Sequence, residues 1–124
     1  MRVTEIVDLE IRKAGPADAR LLSVLAATTF YEAYFEQDDP HNLADYILDS
    51  FEESEILKQL KDPHSTFLLA HSRGCAVGYA KLIAGSREPC VAAEKTTELK
   101  RIYLVERVWR KGIGEALLNC CIEE

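Results

Sequence analysis

The sequence predicts an α+β fold with elements in the order β-α-α-β-β-β-α, and three observations carry that prediction. A stretch after Gly15-Pro16 repeats its apolar residues at helical spacing. The middle of the chain changes to the two-residue period of strands on either side of a tight turn. The last stretch opens on two glycines one residue apart and returns to helical spacing.

Each element can be justified in turn. "LEIRKA" (9–14) alternates apolar and charged residues and reads as a strand. The next run opens on Gly-Pro and carries Leu21, Leu22, Leu25, Ala26 and Thr29 on one helical stripe. A second helical stretch follows "DDPH", with Leu43, Tyr46, Ile47 and Phe51 together, and Ser54 can restart it as a short third piece. Asp62-Pro63 ends that helix, because the residue before proline avoids helical dihedrals. "STFLLAHS" (65–72) and "CAVGYAKLIA" (75–84) flank Arg73-Gly74 and read as an antiparallel hairpin. A loop follows from Gly85 to about Lys95, then a strand over 96–106, then a helix from Gly112 with Ile113, Ala116, Leu117 and Cys120 on one stripe.

At 124 residues the chain is expected to form one domain, 1–124, with a single core. A net charge of −6 disfavours nucleic acid as a partner and leaves room for a cationic substrate. The sequence carries no apolar run of signal-peptide or membrane-spanning length, so no membrane partner is expected and the localisation read from it is cytoplasmic. The four cysteines show no CxxC pair and the histidines no metal spacing; reduced thiols and no metal centre are expected.

The segment "VWRKGIGEALL" (108–118) carries the chemistry. A helix N-terminus presents unpaired N–H groups and a partial positive charge, and glycines admit a ligand without a Cβ in its way. Arg110 and Lys111 add full charges, so a pyrophosphate is the expected anion. A turn whose glycines serve geometry alone remains open on these residues. The phosphate loop of nucleotide hydrolases finds no match, and the dinucleotide pattern lacks its third glycine.

With its strand, short loop and helix, "RIYLVERVWRKGIGEALL" resembles the signature of the GNAT N-acetyltransferases, Q/R-x-x-G-x-G/A. "TFYEAYF", "NLADYI", "FLLAHSRGCAVGYAKL" and "ELKRIYL" look like the subgroup of PaiA-type polyamine acetyltransferases. The resemblance covers nearly the whole chain from Leu9. In one respect this sequence departs from it: Trp109 stands at the Q/R position, and Arg110 where a glycine is common.

The resemblance implies a mixed sheet flanked by helices and acetyl transfer from acetyl-CoA to a primary amine of a small molecule, with a polyamine-like acceptor favoured. It assigns the pantetheine arm and thioester to the backbone of Ile102, Tyr103 and Leu104. It assigns the pyrophosphate to Arg110, Lys111, Gly112, Ile113, Gly114 and Glu115. Oriented N–H groups stabilise charge developing on a carbonyl oxygen. An alkylamine is almost wholly protonated at neutral pH, so a base is needed, and Glu98 matches the position of a glutamate in many relatives. A bland role for Glu98, paired with Lys100 or solvated, stays open. The aromatic and acidic run "FYEAYFEQDD" would suit a polyamine, or equally a helix packing its rings on the sheet.

Family members continue past this helix with a parallel strand and further elements, which also supply a tyrosine acid. The chain is therefore expected to lack those C-terminal strands, as a fragment, a natural short form, or a chain completed by a second copy. An exposed strand edge makes a homodimer one hypothesis. A non-catalytic CoA-binding or regulatory remnant of the same fold is the alternative function.

Overall fold

The computed structural model describes residues 9–84, 97–109 and 112–123. Strand β1 (Leu9–Lys13) leads through a short 3-10 turn to α1 (Ala19–Tyr34), α2 (Pro40–Ser50) and α3 (Glu53–Lys61). Strands β2 (Ser65–Ser72), β3 (Cys75–Ala84) and β4 (Thr97–Leu104) follow, then a 3-10 turn (Glu106–Val108) and α4 (Ile113–Glu123). The loop expected between Gly85 and Lys95 lies outside the described residues.

The expected strands and helices are present, and the short third piece expected to restart near Ser54 is a separate helix, α3. Phe51 leaves the helical region and Glu52 is extended, which turns the chain so that the Phe51 ring is buried against Phe30, ring centres 5.5 Å apart. That burial offsets the helical bonds lost at the break. α2 itself is well started: Pro40 occupies its first turn, and the Asp39 carboxylate accepts from the N–H groups of His41 and Asn42 at 3.1 and 3.0 Å. At the end of α3, Asp62 is extended before Pro63, as the sequence predicts.

The four described strands form one sheet in the order β1-β2-β3-β4, and every pairing is antiparallel. A parallel member of the kind the family resemblance implies would follow α4 in the chain. Between β2 and β3, Arg73 and Gly74 both have positive φ, 55° and 81°, the twist that a two-residue hairpin turn requires. Both faces of the sheet are covered, which is why "FLLA" (67–70) is a continuous apolar run. Phe67 and Leu69 pack with Tyr79 under Leu22, Leu25 and Ile56 of α1 and α3. Leu68 and Ala70 pack with Ala80 and Leu82 against Ile113, Leu117 and Cys121 of α4. Lys81 is buried on the α1 and α3 side of the sheet; its ammonium donates to the Gln59 side chain at 2.8 Å and lies over the Phe67 ring.

The entry to α1 is fixed by a fork. Arg12 on β1 donates through both terminal nitrogens to the Asp18 carboxylate, at 2.8 and 3.0 Å, and Asp18 also accepts the Gly15 N–H at 2.9 Å.

Candidate functional site

β4 is an edge strand among the described residues, and its backbone polarity follows from one bond. The Val105 N–H donates to the Val77 carbonyl at 2.9 Å. Alternation in an antiparallel ladder then turns the backbone groups of Tyr103 and Arg101 toward β3 and those of Leu104 and Ile102 outward. β3 meets β4 at Gly78 so closely that a Cβ there would stand 2.7 Å from the Tyr103 carbonyl oxygen. A glycine is required at that place by contact, with no special dihedral involved.

Beyond β4, the chain makes a tight turn pinned from several sides. Val108 and Trp109 donate their N–H groups to Val105 and Glu106, at 3.1 and 3.0 Å. The Glu106 N–H donates to the Glu32 carboxylate of α1 at 2.7 Å. The Trp109 indole N–H donates to the Leu104 carbonyl, also at 2.7 Å. Gly112 then takes φ +84°, a left-handed conformation that favours glycine, and its carbonyl accepts the first helical bond of α4 from Ala116. Gly114 lies against Leu104: a Cβ there would meet that side chain at 3.3 Å.

The outer edge of β4, the turn and the first turns of α4 enclose a groove of about 730 Å³. It brings together six residues singled out from the sequence: Ile102, Tyr103, Leu104, Gly112, Gly114 and Glu115. Ile113 is buried in the α4 core, so only its backbone is available at the turn. Arg110 and Lys111 lie outside the described residues. Glu98 is placed by its backbone, second on β4 and opposite Ile83. Leu99, Trp109 and Leu118 complete the groove and were not among the sequence candidates. Their partly exposed apolar side chains mark them in the structure; in the sequence only Trp109 stands out, as a departure from the family pattern.

On the other side of β4 an aromatic cluster forms around Phe30. Its ring centre lies 4.5 Å from Tyr34, 5.0 Å from Tyr46 and 6.2 Å from Tyr103. The Tyr34 and Tyr103 hydroxyls approach to 3.5 Å. Desolvation, followed by the Tyr34 hydroxyl, pushes the Tyr103 phenol above its ordinary range and keeps it protonated. Arg101 lies over the Phe51 ring at 5.2 Å. Phe30 and Tyr46 also border a second pocket, of about 420 Å³, whose rim carries Asp38 and Asp39. The other aromatic pair, Tyr31 and Phe35, stacks on the exposed side of α1. Among the described residues no group of three or more histidine, cysteine or acidic side chains could hold a metal ion. None of the described helices is long and apolar enough to cross a membrane.

Residues 24–124 match the model of the acetyltransferase (GNAT) family. The chain belongs to the acetyltransferase (GNAT) family. It is 29% identical over 102 residues to uncharacterised N-acetyltransferases of Mycobacterium bovis and Mycobacterium tuberculosis. That match covers 82% of this chain and 61% of theirs. In fold the chain is similar to the PaiA N-acetyltransferase of Thermoplasma acidophilum in complex with coenzyme A, with a TM-score of 0.77 and 21% identity over 93% of this chain and 70% of that one. It is also similar to an aminoglycoside acetyltransferase from an uncultured soil metagenomic sample in complex with sisomicin. There the TM-score is 0.66 and the identity 15%, over 94% of this chain and 68% of the other. The family and the α+β fold are therefore those expected from the glycine turn and the strand order.

Proposed function

We propose that this chain carries the acetyl-CoA site and the acceptor wall of a cytoplasmic N-acetyltransferase that acts on a primary amine of a small molecule, with a polyamine-like acceptor favoured. The observation that supports it most is the groove between the outward backbone of β4 and the glycine turn. Its residues fit the cofactor: two outward N–H groups, at Ile102 and Leu104, can meet an amide-bearing arm. The N-terminus of α4 stands where that arm would end in phosphates.

Acetyl-CoA supplies the acetyl group as a thioester, and the attacking amine must be neutral. We assign to Glu98 the removal of the ammonium proton, directly or through a water. The outward N–H groups of β4 would hold the thioester carbonyl and stabilise charge developing on its oxygen; the amine N–C bond would form as the C–S bond breaks, and the released thiolate would take up a proton from water. Gly112 and Gly114, with Arg110 and Lys111, would hold the pyrophosphate. For the acceptor, the pocket beside Phe30 and Tyr46 offers ring faces and, at Asp38 and Asp39, carboxylates, a combination that suits a chain of ammonium groups. Phe30 also touches Tyr103 of the groove, so the two cavities share an aromatic partition. Self-association through the outer edge of β4 is the competing use of that edge, since a second copy paired there would occupy the backbone groups that the arm needs.

Thermal unfolding with acetyl-CoA tests the cofactor assignment. A ligand at about a hundred times its Kd adds roughly 2.7 kcal/mol to stability, a clear upward shift in a domain of this size. Acetylation of spermidine, compared with sisomicin at equal concentration, tests the acceptor. Binding without turnover of any amine would support the non-catalytic alternative. A folded chain that ignores acetyl-CoA would sink the site assignment.

A further inference from the structure

We propose that Trp109 is a positioning residue of the groove: its indole N–H occupies the outward carbonyl of Leu104 and thereby fixes where, along β4, a cofactor arm can pair. The inference rests on the reading of the groove as a CoA site and deepens it.

Four backbone groups face outward where β4 meets the groove: the N–H and C=O of Ile102 and of Leu104. The indole takes one of them, the Leu104 carbonyl, at 2.7 Å. The outward edge is thus left with two free donors, one free acceptor and the second lone pair of the Leu104 carbonyl beside the bound indole; its last wholly open group before the turn is the Leu104 N–H. An amide-bearing arm that pairs with Ile102 as a strand would finds both donor and acceptor there. The same arm shifted along the edge toward the turn would set its own N–H on a carbonyl that already accepts the indole N–H, a second and competing bond beside the ring, so that register is the weaker of the two. One register is favoured over its neighbour, and register decides where a thioester lies relative to the strand.

The same contact shapes the groove. Trp109 is half-exposed, 42% by area, and its ring forms part of the wall that Leu118 continues on α4. Leu104, whose carbonyl the indole holds, is also the residue that Gly114 packs against, so strand, turn and helix N-terminus meet at one side chain. The main-chain bonds of the turn, Val108 to Val105 and Trp109 to Glu106, bring the ring to this place without any ligand. The groove is preorganised in that sense.

Trp109 is the chain's single tryptophan, so its indole N–H gives one resonance and all tryptophan fluorescence reports on this position. In the free protein the indole proton should exchange with solvent at least about tenfold more slowly than in an unstructured peptide. Added CoA should change the fluorescence. Trp109→Phe, which keeps a ring and loses the donor, should weaken CoA binding by about tenfold by calorimetry, the equivalent of one hydrogen bond. Trp109→His, which keeps a ring N–H, should recover part of that loss. An indole proton that exchanges freely in the folded chain would overturn the proposal, as would CoA affinity unchanged in a folded Trp109→Phe protein. Failure of the wild-type chain to bind CoA is a different result: it sinks the functional reading and takes the register argument with it.

Discussion

Under α1 and α3 the sheet is closed by large side chains that interlock: Phe67, Tyr79 and Leu22 are almost wholly buried, and Phe30 gathers four other rings around itself. Under α4 the sheet meets a single helix through Leu68, Ala70, Ala80 and Leu82, and toward the outer edge of β4 that cover stops. Leu99 and Leu118 stay more than a third exposed there, at the groove. The first face is built for stability. The second trades some closure for a place where a ligand can lie against backbone, and the difference separates the residues that hold the fold from those that shape the site.

The largest effects should come from the two cores and should distinguish them. Leu22→Ala and Leu117→Ala each remove a fully buried side chain and should each cost about 3 kcal/mol in urea unfolding. Only the second should also weaken acetyl-CoA binding per folded molecule, because α4 seats the glycine turn. Equal losses of affinity in both variants would break the comparison. Gly78→Ala should cost roughly 1–3 kcal/mol, since its Cβ would press on the Tyr103 carbonyl and push β4 away from β3. Gly112→Val sharpens the contrast from the other side. A side chain at φ +84° should cost about 1–2 kcal/mol, leave the circular dichroism of the fold in place and abolish cofactor binding.

The periodicity of the sequence predicted what depends on local pattern. β2 and β3 begin and end where alternation and the Arg73-Gly74 turn place them, and α1 buries Leu22, Leu25, Ala26 and Thr29 of its expected stripe, while Leu21, also expected there, is 37% exposed. A restart near Ser54 was legible, but the packing of the Phe51 ring on Phe30 that accompanies the break was not, because it depends on a ring finding its partner across two helices. Nor was the partition of "FYEAYF": Phe30 turns inward and Tyr31 outward, and Glu32, which reads as part of an acidic wall, has its carboxylate on the Glu106 N–H. In the candidate site, the glycines stand out from their order, whereas Ile102, Tyr103 and Leu104 enter only through the family resemblance. The indole bond to Leu104 could not be read from either, since it closes across a turn whose path no propensity specifies. Trp109 reads in the sequence only as a departure from the family pattern.

The smallest of the expected effects concerns the fork between β1 and α1. The Arg12 guanidinium, bonded to Asp18 through two nitrogens, holds that carboxyl at about 2, below its ordinary value of 3.8. A carboxyl lowered in the folded state stabilises the protein above its unfolded pKa, and that stability is lost as pH falls through the folded value. The window is therefore about pH 4 to pH 2. Asp18 is mostly shielded but Arg12 is 40% exposed, so solvent screening reduces the contribution to about 1 kcal/mol. Asp18→Asn should lose that amount at neutral pH and flatten the decline in stability across the window, as followed by urea unfolding at a series of pH values. It should leave acetyl-CoA affinity unchanged, because the fork fastens the closed side of the molecule and touches no part of the groove. A variant that kept the wild-type acid slope would move the sensitivity to another low carboxylate, with Glu55, held down by the Gln59 amide, the next to replace. A variant that instead lost cofactor affinity would mean that strain at the entry to α1 reaches β4 through the aromatic cluster, and the two faces would then have to be treated as one cooperative unit.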